Sequence, residues 1–121
     1  MREILYRGKG DTRFNSGGWF YGVPIKDFEG DWQLWTDCTK TTVLPETIGQ
    51  YTGLTDKNGK KIFDGDIVKY RNSSPCQIAY IDSQFVMMWK NFYRNFERVY
   101  DDEIEVIGNI YDTPRNVGGR K

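Results

Sequence analysis

Residues 45–70 read PETIGQYTGLTDKNGKKIFDGDIVKY, and this stretch decides the fold because it holds runs of strand-forming residues around one tight turn signal. The pair Asn58-Gly59 tolerates the positive φ angles of the primed turns that close β-hairpins. Gly65, which lies between two aspartates, favours a bend or bulge over a strand interior. Gly49 and Gly53 flank a segment that we expect to form a short strand. The stretch therefore predicts a hairpin tip at Asn58-Gly59, a bend at Gly65 and a further strand after it.

The aspartates of this stretch raise a second interpretation, a cation-binding loop. Asp56, Asp64 and Asp66 cluster in the sequence, and hard cations such as calcium bind clustered oxygen ligands. Their spacing matches no calcium loop, however. Turn chemistry explains them better, because aspartate is among the residues that turns prefer.

The same stretch resembles the hallmark segment of the YopX family of phage and prophage proteins. In that family it is followed near the C-terminus by a segment like IEVIGNIY, which is residues 104–111 of this chain. The openings MREI and YRG, and the motif GWFYG at residues 18–22, also follow the family pattern. Residues 30–43 and 71–102 match no fixed pattern, so a ligand site in either segment would not be visible from the resemblance. The resemblance implies a fold similar to SH3-type β-barrels and a phage or prophage origin, but it implies no reaction.

The chain length is that of one domain. If the 121 residues were divided between two separately cored domains, each domain would be marginal. We therefore predict a mostly β, single YopX-like domain over residues 1–113, with a small SH3-like β-barrel at about 45–111, an N-terminal β extension and at most one short helix. Residues 114–121 are predicted to form a flexible tail.

The composition argues against enzymatic and metal chemistry. The 17 basic residues balance 17 acidic ones and there is no histidine, which removes the commonest general base near neutral pH and the commonest metal ligand. Cys38 and Cys76 are too few for a four-ligand zinc site and are expected to be reduced thiols, with a disulfide between them as the less favoured alternative. We predict no enzymatic activity, no catalytic residues, no cofactor and no metal. Without an apolar signal segment or a run of roughly 20 apolar residues that could span a bilayer, we expect a protein of the host bacterial cytoplasm with no membrane partner.

Alternating and β-branched runs outside the central stretch predict further strands. A first strand is expected within residues 1–7. The aromatic run that starts at Trp19 is expected to end at Pro24, because proline interrupts strands. A turn over residues 27–31 is predicted to lead into a strand at 32–35.

The second half of the chain predicts another hairpin and a helix. Residues 77–81 and 85–89 flank Asp82-Ser83, and the second arm is apolar on both faces, which indicates that it is covered on both sides. Between residues 91 and 102, apolar side chains recur at helical spacing and predict a short amphipathic helix.

Four residues form the candidate interaction surface: Trp19, Trp35, Met88 and Trp89. Trp19 and Trp35 offer stacking platforms, since aromatic faces bind single strands with little sequence preference. Packing in a core or a subunit interface is the commoner fate of tryptophan. We therefore predict a protein-interaction or assembly module, which acts through self-association or another protein.

A nucleic-acid-binding module is the alternative. Small barrels bind nucleic acid through exposed aromatics and loops, and a local patch of Arg2, Arg7, Lys9 and Arg13 would supply the charge. The zero net charge counts against this function, because nucleic-acid-binding domains are usually strongly basic. Nucleic acid is therefore the less favoured partner.

Overall fold

The computed structural model describes residues 4–96 and 103–112. It divides into two compact units, Met1–Tyr51 and Thr52–Lys121, which we call unit 1 and unit 2. Their elements follow in chain order: β1 (Tyr6–Lys9), β2 (Trp19–Lys26), β3 (Trp32–Trp35), β4 (Lys40–Thr42), a 3-10 turn (Pro45–Thr47), β5 (Gly49–Thr55), β6 (Lys61–Phe63), β7 (Asp66–Tyr70), β8 (Cys76–Ile81), β9 (Gln84–Met88), β10 (Tyr93–Asn95) and β11 (Ile104–Asn109).

The strands form two antiparallel sheets, and the described ranges contain no α-helix. The predicted mostly β fold is therefore confirmed. The boundary between the units falls inside β5, within the stretch that we quoted first. The assignment of residues 1–113 to a single domain stays a prediction, and the predicted tail lies outside the described residues.

In unit 1 the strand order is β4-β3-β2-β1-β5. The ends of β1 and β4 also meet, through a bridge between Gly10 and Val43. The backbone N–H of Leu44 donates to the oxygen of Lys9 at 2.8 Å and strengthens this connection. The inward side of the unit buries Leu34 and Val43, so these strands enclose a small core of their own.

Strand β2 continues through Pro24 to Lys26, so the prediction that the run ends at Pro24 is wrong. The pairing of β2 with β1 stops at Gly22, whereas its pairing with β3 covers Val23 to Lys26. Beyond Gly22 the strand thus pairs on one side only. Proline lacks an N–H donor and is tolerated where a strand has an open edge.

Two turns with the same hydrogen-bond pattern close hairpins, one in each unit. At residues 56–60, the N–H of Gly59 donates to the oxygen of Asp56, and the Asp56 carboxylate accepts the N–H groups of Asn58 and Lys60. Residues 27–31 repeat this pattern from Asp27, with the glycine again at the fourth position. Aspartate first and glycine fourth are the preferences of a type I turn followed by a left-handed residue.

The first predicted hairpin is confirmed, with a different turn from the one expected. Gly59 has the predicted positive φ, at +84°. Asn58 is not among the residues with positive φ, so the loop is a three-residue type I connection with a glycine bulge and not a primed two-residue turn. Strand β5 also runs through Gly53 to Thr55, which makes it longer than predicted.

The second predicted hairpin, β8 to β9, is confirmed around Asp82 and Ser83. Their φ angles are +52° and +68°, and positive values at both central residues define the primed turn that the sequence suggested for Asn58-Gly59. The predicted bend at Gly65 is also confirmed, with φ +94°. The N–H of Phe63 donates to the Asp66 carboxylate across this bend, at 2.8 Å.

The helix predicted for residues 91–102 is wrong where the structure describes it, because β10 (Tyr93–Asn95) is a strand paired with β9. The N–H of Trp89 donates to the oxygen of Phe92 at 2.8 Å and turns the chain back after β9. Residues 97–102 lie outside the described residues. The spacing of Phe92 and Phe96 is that of an apolar helix stripe. The backbone of β10 instead forms its hydrogen bonds with β9, and Phe96 packs in the core.

The core of unit 2 is one cluster of buried side chains from β6 to β11. On β9, Phe85 and Met87 belong to this cluster, and Val86 on the opposite face has no exposed surface. The prediction that this arm is covered on both faces is therefore confirmed.

Candidate interaction surface

Strand β2 presents an exposed row of apolar side chains on the side opposite the buried Leu34. Tyr21 and Val23 are each 47% exposed and Ile25 is 37% exposed. Trp35 of β3, 36% exposed, is paired with Val23 and therefore lies on the same side. We call these four residues the β2–β3 face.

The two strands of this face lie close together because Gly22 has no side chain. A Cβ atom at position 22 would lie 2.5 Å from the backbone oxygen of Trp35. Glycine thus permits an approach that any other residue would prevent. As a consequence, Trp35 stands directly beside Val23.

Cationic side chains border the β2–β3 face. The ammonium of Lys40 lies 4.8 Å from the centre of the Trp35 ring, and the Trp35 indole N–H donates to the Gln33 side-chain oxygen at 3.0 Å. At the other end of β2, the guanidinium of Arg7 lies 4.6 Å from the ring centre of Trp19. Cation–π contacts of this kind favour the observed ring positions by about 0.5–1 kcal/mol at exposed sites.

The structure brings together only part of the predicted surface. Trp19 and Trp35 share one side of the unit 1 sheet, but Met88 and Trp89 belong to unit 2. Met88 is half-buried. Trp89 is buried in the core, where its indole N–H donates to the oxygen of Ser74 at 3.0 Å. The proposal of Trp89 as an exposed contact residue is therefore corrected.

Sequence reasoning missed Tyr21, Val23 and Ile25. The signal was available, because these residues continue the two-residue alternation that begins at Trp19. Ile25 was missed because Pro24 was taken as the end of the strand. Tyr21 and Val23 lay within the predicted run, but alternation alone does not show which face stays exposed.

The basic patch proposed for nucleic acid does not form as a set of exposed charges. The Arg13 guanidinium contacts the Asp11 carboxylate at 2.6 Å. The hydrogen bonds from Arg13 lower the pKa of Asp11 below its usual value. Arg7 is buried, and Arg2 lies outside the described residues.

The aspartates act in turns, as the spacing indicated. Asp56 and Asp66 are buried and accept backbone N–H groups. An exposed to half-buried acidic trio, Asp27, Glu29 and Asp31, lies in the turn between β2 and β3. Asp27 accepts the N–H groups of the other two at 2.9 Å, so the turn itself explains its position.

Both cysteines are free thiols in the structure. Burial raises the pKa of Cys76 to about 12, so this thiol is unreactive at neutral pH. Cys38 is exposed in the turn between β3 and β4.

These features define a mostly β protein of two antiparallel sheets with an exposed aromatic and aliphatic face. The chain belongs to the YopX family, because the model described as YopX protein matches residues 20–117. The crystal structure of protein EF1440 from Enterococcus faecalis is similar in fold, with a TM-score of 0.63 and 23% sequence identity over 94% of this chain and 97% of that chain. No curated protein matches the sequence. Within the described ranges, no helix is long and apolar enough to cross a membrane.

Proposed function

We propose that the chain is a non-enzymatic protein-interaction module, and that a protein partner docks on the β2–β3 face. The observation that carries this proposal is the exposure of four apolar side chains on one side of one hairpin. An antiparallel sheet that faces water normally presents polar side chains there. Contiguous exposed apolar surface marks interaction sites in soluble proteins.

The residue types support a protein partner. Tyrosine and tryptophan are enriched in interfaces and dominate binding energy when a partner desolvates them. Trp35 is already held by Gln33 and Lys40, so docking costs little side-chain entropy. The aliphatic Val23 and Ile25 complete a surface that suits apolar protein side chains.

The alternative, a nucleic-acid-binding module, has less support. Stacking of bases requires accessible aromatic faces, and Lys40 lies over the ring of Trp35. The pairing of Arg13 with Asp11 and the burial of Arg7 further weaken the phosphate-binding patch.

The family resemblance supports three further proposals. We propose an SH3-like arrangement for unit 2, a phage or prophage origin, and action in the cytoplasm of the bacterial host. The five-strand order β10-β9-β8-β7-β11 and the bulge at residues 106–108 are compatible with a strongly curved sheet in unit 2.

The test of the function is a pull-down from lysate of the host bacterium with immobilised full-length chain, followed by identification of the captured proteins. Trp35→Ala should lose the specific partner, because truncating a central aromatic contact typically costs 2 kcal/mol or more, which is roughly thirtyfold in affinity. Phe28→Ala is the matched control, since Phe28 is fully exposed in the turn beyond β2.

Circular dichroism would check that both variants fold. Capture of the same proteins by the wild type and Trp35→Ala would contradict the proposal. Capture of nucleic acid in place of protein, lost in Trp35→Ala, would favour the alternative.

A further inference from the structure

We infer that the partner of the β2–β3 face is an acidic protein segment, in which aspartate or glutamate side chains accompany apolar ones. This inference rests on the proposed function and adds the chemistry of the partner. It follows from the sign of the charges that the strands direct to this side of the sheet.

Strands β1 to β4, all within the described residues, direct three charged side chains to this side of the sheet. They are Arg7, Lys9 and Lys40, and all three are basic, although Arg7 is buried and Lys40 is the exposed one. The whole chain carries equal numbers of basic and acidic residues, 17 of each. The acidic residues nearest the face lie in the turns at its ends, Asp27, Glu29 and Asp31 between β2 and β3 and Asp37 between β3 and β4.

Lys40 is the basic residue through which the charge of this face affects docking. Its side chain is exposed and its ammonium lies 4.8 Å from the ring centre of Trp35, the largest apolar side chain of the face. A partner that covers Trp35 also removes water from this ammonium. Leaving a desolvated charge without a counter-charge is costly, whereas a carboxylate on the partner offsets that cost.

A second copy of this chain fits the face poorly. A two-fold interface places the same patch of both copies together. Face-to-face pairing of the strands would therefore bring Lys40 and Lys9 of one copy towards the same basic side chains of the other. Like charges across an interface disfavour a partner, so the face suits a different protein.

A protein also fits better than a nucleic acid, which is the other anionic candidate. Val23 lies in the middle of the face, flanked by Tyr21 and Ile25 along β2 and paired with Trp35 of β3. Aliphatic side chains pack against apolar protein side chains but offer no ring on which a base can stack.

The experiment is a selection of random 12-residue peptides displayed on particles, with the folded full-length chain as bait. We expect the selected peptides to be enriched in Asp and Glu next to aromatic or aliphatic residues, relative to the starting library. Affinities of the best peptide are then measured by fluorescence anisotropy for the wild type and three variants. Lys40→Glu should weaken binding about tenfold or more, because it replaces attraction by repulsion.

Lys90→Glu is the matched control, since Lys90 is an exposed cation of unit 2, and should bind like the wild type. A version of the peptide with its acidic residues replaced by lysine should bind Lys40→Glu better than it binds the wild type. This gain cannot arise from misfolding. Trp35→Ala should weaken binding of the original peptide.

The remaining outcomes each overturn the inference. If the selected peptides are neutral or basic and their binding depends on Trp35, the inference of an acidic partner is overturned, whereas the proposed function stands. Peptides unaffected by Trp35→Ala, or a library without binders, would overturn both. A labelled oligothymidylate that binds more tightly than any peptide, or Trp35-dependent self-association in light scattering, would replace the acidic protein by nucleic acid or by a second copy.

Discussion

Strands β2 and β9 are both runs of mostly apolar side chains, but they have opposite surroundings. In β9, Met87 packs into the unit 2 core and Val86 on the other face is equally buried. In β2, Val23 and Ile25 are exposed. An apolar strand pattern therefore predicts a strand, but not what covers it. The difference indicates that β9 serves stability, whereas β2 has apolar surface available for a partner.

The largest expected effect tests the burial of β9. Met87→Ala removes a fully buried side chain and leaves a cavity in unit 2, so we expect it to lower the free energy of unfolding by about 2–5 kcal/mol. Urea unfolding followed by tryptophan fluorescence measures the loss. The neighbouring Met88→Ala, at a half-buried position, should cost clearly less. Equal losses would mean that the two faces of β9 are not packed as described.

The next effect compares the two related turns. Asp27→Ala and Asp56→Ala both remove a carboxylate that accepts two turn N–H groups, at a cost of about 1 kcal/mol. Asp56 also accepts the N–H of Val106 at 2.9 Å, which ties the turn to β11. Leaving that donor unsatisfied should add about 1–3 kcal/mol. Both losses are measured by urea unfolding. If Asp27→Ala lowers the free energy of unfolding as much as Asp56→Ala does, the contact between Asp56 and Val106 adds no stability.

The pH dependence sharpens the same test. Burial alone raises the pKa of Asp56, but the backbone N–H groups of Val106, Lys60 and Asn58 outweigh burial and hold this pKa below its usual value. The unfolded chain, with an ordinary pKa of about 3.9, thus binds the proton more readily. The contribution of Asp56 is fully present above that pH and is lost as the pH falls through the lower pKa of the folded state. The stability difference between wild type and Asp56→Ala should therefore shrink in urea titrations below about pH 4.

A third effect tests how the exposed face is built. Gly22→Ala would place a Cβ atom 2.5 Å from the Trp35 backbone oxygen and force β2 and β3 apart. We expect a loss of about 1–3 kcal/mol, typical of overpacking, together with weaker partner binding. Gly18→Ala is the control, because a Cβ there meets no atom within 4 Å. Thermal unfolding of both variants is the measurement, and equal melting temperatures would refute the close approach.

The smallest expected effect concerns the exposed strand β2. Ile25→Ser replaces an apolar side chain of the β2–β3 face that is 37% exposed. Surface substitutions usually change stability by no more than about 0.5 kcal/mol, so urea unfolding should hardly differ from wild type while peptide binding weakens. A loss comparable to that of Met87→Ala would mean that the face is covered within the chain and is not free for a partner.

Local chemistry allowed much of the fold to be predicted from the sequence. Asn58-Gly59 and Asp82-Ser83 both mark hairpins, because their residue types favour turn geometry whatever surrounds them. The bend at Gly65 follows for the same reason. The exact turn types were less predictable, since Asn58 avoids the positive φ that Asp82 and Ser83 adopt.

Tertiary structure decided which strands continue and which faces are covered. The pairing of β10 with β9 overrode a helical spacing around Phe92 and Phe96, because strand pairing and core burial outweigh a weak local preference. One-sided pairing let β2 pass through Pro24. Exposure of Tyr21 and burial of Trp89 depend on contacts with residues distant in the chain, which alternation alone cannot specify. The sequence by itself therefore determined the strands and their turns, and only packing determined which aromatic side chains are available for binding.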